Sequence, residues 1–270
     1  MKSFIRYLLK KLGLLTWVRK ERFKRQYRKQ INQFKGQTEY LVSFKNIEVN
    51  FSLTDPFSAT FFSEYFKKGI YEKEGLETLL QYVSNKSIVF DVGANIGYFA
   101  CFAASYCRQG YIYAFELGLE NVNILTKNIH LNKLKNVTVE HCAVSDTTGN
   151  SLVQDSAVGN AVLKIINSTS SSDDLISVKS VSLDEYCRLN DVTPDFIKID
   201  VEGAEMKVLK GMKDILTSKV NILVEIHETD LKYFDSSKDE VLDYIRSFGF
   251  ELRIIGNDVK KNLLVFAYKQ

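Results

Sequence analysis

From residue 87 to the end, the chain repeats one rhythm: a short apolar run, a turn, then a longer stretch with apolar positions at helical spacing. The strand-like runs are 87–91 (SIVFD), 111–116 (YIYAFE), 136–144 (NVTVEHCAV), 195–200 (DFIKID) and 220–226 (VNILVEI). Helical stretches over 97–107, 119–132, 203–216 and 236–248 separate most of them. The last opens on a capping box, Ser237 to Glu240, and stops at Gly249. Strand alternating with helix predicts right-handed crossovers and a parallel sheet. The runs 250–256 (FELRIIG) and 262–269 (NLLVFAYK) depart from this. About five residues between them are too few for a crossover, so this pair is antiparallel. The expected fold class is α/β: a Rossmann-like, seven-stranded, mostly parallel sheet with an antiparallel last strand.

Upstream, residues 40–53 (YLVSFKNIEVNFSL) alternate loosely, as a hairpin or edge strands do. Residues 58–84 have helical character with a break near Gly69 and Gly75. Residues 150–180 interrupt the rhythm, and the polar NSTSSSDD (167–174) sits between short strand-like pieces. This insert is expected either to cover one face of a site or to be a disordered loop. At the N-terminus, Phe4, Leu8, Leu12 and Leu15 recur at helical spacing, with Lys2, Arg6 and Lys10 on the opposite face. These apolar runs are too short to span a bilayer, and the lysines interrupt the apolar centre a signal peptide needs. The expected organisation is a basic amphipathic arm (1–38), a cap or substrate-side segment (39–86) and the main domain (87–270).

Charge sharpens the view of the arm. Residues 1–35 hold 12 Lys/Arg and one acid, Glu21, so the net charge of +3 divides into +11 on the arm and −8 on the rest. Two readings fit: a helix lying on an anionic membrane surface, or a helix packed on the body with its basic tail in solvent. The stretch RKERFKRQYRK interleaves aromatics but matches no recognisable nucleic-acid module, and nucleic acid is not the expected partner. The four cysteines have no C-x-x-C spacing and are expected to be small buried hydrophobes. The expected location is the cytoplasm, peripheral at the inner membrane face if the arm binds lipid.

The chemistry begins at VFDVGANIGYFA (89–100). Asp91 ends an apolar run, Gly93 and Gly97 bracket Ala94, Asn95 and Ile96, and an apolar stretch resumes. Ligands of open α/β sheets bind beyond the carboxyl ends of strands. Gly93 permits a turn close to a ligand, and Gly97 permits the next helix to start tight against the sheet. The spacing is not the G-x-G-x-x-G that a dinucleotide pyrophosphate requires. The next strand ends at Glu116, a carboxylate at the neighbouring tip, positioned for ribose hydroxyls. Asp91 with Glu116 therefore indicates a non-phosphorylated adenosine ligand, S-adenosylmethionine. A nicotinamide-dependent oxidoreductase is the rival that the glycine spacing and the final hairpin oppose. A membrane-attached binding protein without turnover is the non-enzymatic alternative.

In order along the chain, "VFDVGANIGYFA", "NVTVEHCAVSDTTGN", "SLDEYC", "PDFIKIDVEGAEMKVLKGM" and "ILVEIH" resemble the FkbM-type S-adenosylmethionine-dependent methyltransferases. The likeness covers about residues 69–230 and excludes the arm. It implies the class I methyltransferase fold and methyl transfer, commonly to a hydroxyl of a sugar or secondary metabolite, so the acceptor is a small molecule or glycan. It places Ala143 and Val144 in the adenine-side loop, with Asp146 near the adenine amino group. One departure is Leu117 after Glu116, where the family usually has proline.

Methyl transfer to an alcohol needs alignment, exclusion of water and a route for the hydroxyl proton. Asp200 ends the fourth strand, Glu202 follows it, and His227 ends the fifth, so all three are expected to converge on the transferred methyl. His227, with an ordinary pKa near neutrality, is the expected base. Glu205 is expected to favour a helix N-terminus and Glu225 to anchor a neighbour. The same acids can instead hold a divalent ion, but a sequence displays acids rather than a coordination geometry, and no metal is assigned. His130 and His141 have no triad around them.

Overall fold

The apolar runs assemble as strands of one sheet. The computed structural model describes residues 32–34, 36–65, 69–154, 164–165, 175–257 and 262–270. Residues 1–31 and 35 of the basic arm, and the polar stretch 167–174, lie outside the described residues. The chain begins with β1 (Glu39–Phe44), β2 (Ile47–Ser52), α1 (Pro56–Tyr65) and α2 (Lys73–Tyr82). Then come β3 (Ile88–Val92), α3 (Tyr98–Tyr106), β4 (Tyr111–Glu116), α4 (Leu119–Leu131) and β5 (Val137–His141). Next come β6 (Ala143–Val144), β7 (Gly149–Gln154), β8 (Lys164–Ile165) and β9 (Leu175–Val181). The second half adds α5 (Leu183–Asn190), β10 (Phe196–Ile199), α6 (Glu205–Lys210), α7 (Lys213–Thr217) and β11 (Asn221–His227). It closes with α8 (Glu228–Leu231), α9 (Lys238–Ser247), β12 (Glu251–Asn257) and β13 (Asn262–Tyr268).

The main sheet has seven strands in the order β12-β13-β11-β10-β3-β4-β5. β13 runs antiparallel to both its neighbours, β11 and β12, while β11, β10, β3, β4 and β5 pair in parallel. The final hairpin does not simply extend the edge: its second strand inserts between β11 and β12. The side chains explain why. Val265, Phe266 and Ala267 are buried on both faces, whereas β12 exposes Ile254 at 61% and suits the edge.

Apolar layers cover both faces of the sheet. One is built from α2, α3, α4 and the β1–β2 hairpin, through residues such as Phe51, Leu76, Phe102 and Leu125. The other is built from α5 to α9, through residues such as Tyr186, Leu209, Leu216 and Ile245. Each fully buried Phe or Leu contributes roughly 1.5–3 kcal/mol. Local signals set the helix starts. Ser182 accepts a hydrogen bond from the Glu185 amide, and the Ser237–Glu240 capping box has both of its bonds.

Three sequence expectations change. No break occurs at Gly75: α2 runs through it, because a Cβ there would stand only 3.2 Å from Leu264 and 3.3 Å from Phe99, in the packed layer. The stretch 203–216 divides into α6 and α7 at Gly211, where a Cβ would stand 2.1 Å from the Ser145 carbonyl oxygen. The run 136–144 is not one strand: after β5 the chain leaves the main sheet, and β6 joins β9, β7 and β8, the strand-like pieces expected beside the polar loop, in a further small sheet ordered β6-β9-β7-β8. Among the described residues no helix is long and apolar enough to cross a membrane.

Candidate active site

Five strand tips meet above the carboxyl edge of the sheet. The turn after β3 is held from below: the amides of Gly93 and Ala94 both donate to the Phe115 carbonyl, at 2.9 and 3.0 Å. Glu116 completes the hold. Its Oε2 accepts from the Asn95 amide at 2.8 Å, and its Oε1 accepts from the Gly118 amide at 2.7 Å and from Asn121 Nδ2 at 3.3 Å. Burial pushes its pKa up, and these three donors pull it back, leaving it raised. The glycines work differently from expectation. A Cβ on Gly93 (φ +81) would stand 1.8 Å from the Asp200 carbonyl oxygen, so its missing side chain admits the neighbouring strand end. A Cβ on Gly97 would stand 2.2 Å from Leu125, so that glycine admits α4 rather than the sheet.

Above this turn opens a cleft of about 670 Å³, counted out to its mouth. Gly93, Asn95, Glu116, Ala143, Asp200 and Glu202 line it, as do residues sequence reasoning passed over, among them Asn121, Cys142 and Ala204. Among the described residues, no Lys, Arg or His lines the cleft. Such a lining suits a ligand without phosphate. Asn95 Oδ1 is buried there without a hydrogen-bond partner, an acceptor waiting for a donor. A buried carboxylate and an orphaned amide oxygen fit a nucleoside that brings hydroxyl and amino hydrogens. Asn121 could have been found from its place in the first turn of the helix that follows the Glu116 tip.

Other expected site residues lie elsewhere. Ala94 and Gly97 belong to the turn but do not line the cleft. Asp146 is exposed and accepts from Ser145 Oγ at 3.0 Å. Asp91 is not a second finger beside Glu116. β3 continues one residue past it to Val92, and Asp91 lies in register with Ala114, two residues short of Glu116. Its carboxyl therefore sits one pleat deeper and is only 1% exposed. Burial pushes it up to about 6 against the pull of the Lys198 ammonium.

Lys198 is the charged residue the sequence reading missed. A lysine in the middle of a four-residue apolar strand cannot reach water on a covered sheet face, which was the available signal. Its Nζ lies 2.8 Å from Asp200 Oδ2 and 4.7 Å from the centre of the Phe99 ring. Burial works against its charge, but Asp200, Asp91 and Glu72 outweigh burial and hold its pKa above the ordinary value.

Beside Asp200 an acidic cluster surrounds His227, which is 4% exposed. Its Nδ1 is 2.7 Å from Glu205 Oε1. Its Nε2 is 3.6 Å from Asp200 Oδ1, 3.7 Å from Glu202 Oε2 and 3.8 Å from Glu225 Oε1. Asp200, Glu202 and His227 therefore do converge. The arrangement bears directly on the role expected of His227. Burial alone would lower its pKa, but the bond to Glu205 and the charges of Asp200 and Glu202 prevail and push it up to about 10. The surrounding carboxylates thus favour the protonated ring, which makes it a poor acceptor for a hydroxyl proton. Glu225 goes the other way from an ordinary carboxyl: burial, with Asp200 and Glu72, pushes it up to about 8. Asn262 donates to its Oε1 at 2.8 Å. Glu202 sits at φ 52, an uncommon conformation for a residue with a side chain, followed by Gly203 at φ 106.

Residues 91–252 match the family model described as the methyltransferase FkbM domain. Hexuronic acid methyltransferase AglP of Haloferax volcanii is 29% identical over 158 residues, which are 58% of this chain and 62% of that protein. The 31-O-demethyl-FK506 methyltransferase FkbM of Streptomyces tacrolimicus is 26% identical over 219 residues, covering 70% of this chain and 80% of that one. A crystal structure of a methyltransferase FkbM from Methylobacillus flagellatus KT superposes with a TM-score of 0.52 at 18% identity. It covers 80% of this chain and 54% of its own, which shows the shared fold.

Proposed function

Because the chain belongs to the FkbM methyltransferase family, we propose that it methylates a hydroxyl oxygen of a sugar or secondary metabolite with S-adenosylmethionine as donor. The observation that carries this reading is the sharing of Asp200 and Glu202 between the cation-free cleft and the acidic cluster around His227. When bound, S-adenosylmethionine supplies a methyl carbon already activated by a sulfonium.

In this reading Glu116 and the Asn95 side chain receive the donor's hydroxyl and amino hydrogens, and Ala143 and Val144 flank its base. Gly93 and Gly97 shape the turn, and Asp91 stabilises the charge of Lys198 beneath it. The cluster faces the acceptor. Its surplus of carboxylates disfavours an acidic group at the reacting end and favours a neutral hydroxyl. Glu225 lies outside the donor cleft, and Asp200, whose carboxyl the charges of Lys198 and His227 hold below the ordinary value despite burial, is the carboxylate that takes the hydroxyl proton. Asp200 and Glu202 stand at the boundary, where donor and acceptor meet, and exclude water there.

The test is release of S-adenosylhomocysteine with a panel of neutral glycosides and hydroxylated metabolites. Donor binding without product across the whole panel would instead support the binding-only reading. The +11 charge of residues 1–35 supports an anionic membrane surface as a second partner, and hence a peripheral cytoplasmic location. Co-sedimentation with phosphatidylserine vesicles tests it: loss of binding on deleting residues 1–31 supports the assignment, and unchanged binding ends it.

A further inference from the structure

A second cleft opens beside the turn after β3. It measures about 440 Å³, counted out to its mouth, and Tyr40, Leu41, Ser43, Phe62, Tyr71 and Tyr98 are among the residues that line it. Its rings come from separate parts of the chain. Tyr98 opens α3 directly after Gly97, and Tyr71 stands two residues before α2, so two helix starts bring their rings together edge to face at 5.3 Å. Tyr40 of β1 lies 5.0 Å from Phe62 of α1. Phe62 and Tyr98 are 1% and 4% exposed and form the floor, whereas Tyr40 and Tyr71 stay half-buried. Leu41 beside them is 49% exposed.

The lining selects its occupant. Among the described residues, none that lines the cleft carries a charge, so a carboxylate or phosphate would find no cation there. Aromatic faces are negative and attract the C–H hydrogens of a saturated ring. Polar partners come from the backbone as well as from tyrosine and serine hydroxyls. Among the described residues β1 pairs only with β2, so its other edge leaves alternate N–H and C=O groups outside that ladder, and residues 40–43 of this strand line the cleft. An uncharged ring that carries hydroxyls satisfies both kinds of group, which a purely apolar ligand does not. Tyr71 ties the cleft to the reacting end. Burial, and then the nearby charges of Glu72, Asp200 and Glu225, push its pKa well up, so its hydroxyl stays protonated beside those acids.

We propose that this cleft receives an uncharged, hydroxylated six-membered ring of the acceptor, held against Tyr40 and Tyr98, with Tyr71 between that ring and Asp200. The assignment rests on the proposed methyl transfer and narrows its acceptor: the ring that is recognised bears no carboxylate or phosphate. Donor and acceptor then flank the turn after β3, the donor against Gly93 and Asn95 and the acceptor ring against Tyr98.

Saturation-transfer NMR on the full chain tests this without a donor. The neutral probes are the methyl pyranosides of glucose, galactose, mannose and rhamnose, and the charged probe is methyl glucuronoside. At least one neutral glycoside should show transfer to its ring C–H hydrogens, and the glucuronoside should show none. Tyr40→Ala should weaken that binding at least about fivefold, and Tyr40→Phe, which keeps the ring, should restore it. Circular dichroism checks each fold, and the comparison of neutral with charged probes needs no variant. No transfer to any neutral glycoside, an equal or stronger signal from the glucuronoside, or wild-type binding in folded Tyr40→Ala overturns the assignment. Each of these results leaves methyl transfer standing. Cleft binding of a neutral glycoside with no S-adenosylhomocysteine released once the donor is added defeats methyl transfer alone.

Discussion

Glu205 Oε1 lies 2.7 Å from His227 Nδ1, and both side chains are sealed from water. The same oxygen accepts the Gly203 amide. Glu205→Ala therefore strands an imidazole and a backbone amide together. It should cost about 3–5 kcal/mol in urea unfolding, the range for breaking a buried charged pair. Glu205→Gln keeps an acceptor and should cost clearly less. Equal midpoints for Glu205→Ala and the wild type would mean that the bond contributes nothing.

Gly93 and Gly249 both have φ above +80°, but only Gly93 has a neighbour in the way. Gly249→Ala meets nothing within 4 Å and should cost only the left-handed conformation, about 1–2 kcal/mol. Gly93→Ala must also displace the Asp200 carbonyl, which should bring its cost to at least about 3 kcal/mol and disorder the tip of β10. Comparable losses in chemical unfolding would contradict the close approach.

Asp91 supplies a pH signature. Its carboxyl ionises near 3.8 in an unfolded chain and near 6 when folded, so the native state holds the proton more tightly. Stability from this group is full below pH 4 and is lost as pH rises from about 4 to 6. Asp91→Asn removes the buried charge and should gain about 3 kcal/mol at pH 7, with the gain vanishing below pH 4. Donor affinity should fall far less than in a Glu116 variant, since Asp91 does not reach the cleft. Melting curves of both proteins across pH 3–8 decide the first point, and calorimetry the second.

Glu116 is the acid that ties the turn to α4. Glu116→Gln replaces one acceptor oxygen with a donor facing a backbone amide, and Glu116→Ala removes both oxygens. Each should weaken S-adenosylhomocysteine binding at least about tenfold, because hydrogen bonds to a charged group contribute about 1.5–3 kcal/mol each. Calorimetry showing wild-type affinity in either folded variant would remove Glu116 from the donor site.

Much of this was legible along the chain. Apolar runs located six of the seven strands within one residue at each end, the run 136–144 merged β5 with β6, and the short gap before residue 262 announced the reversed strand. Glu116 and Asn95 stood out because they sit on a turn whose spacing is local. His227 was singled out by its place at a strand end, but the groups around it were not legible. Its pKa depends on Glu205, Asp200 and Glu202, between 22 and 27 residues away, and no local pattern carries that sum. Lys198 was overlooked although its nearest partner, Asp200, is two residues on; Asp91 and Glu72, which also hold its charge, come from elsewhere in the chain.

The sequence by itself determined the elements, their alternation and the acids at the strand ends, since periodicity and turn chemistry act over a few residues. Only the tertiary structure decided depth and company. The register of β3 on β4 set Asp91 one pleat beneath Glu116, and insertion of β13 brought Asn262 to Glu225. Packing then turned the tips of β10 and β11 toward each other, so that one imidazole met four carboxylates. A side chain's charge state is set by whatever surrounds it in space, and those neighbours are distant in the chain.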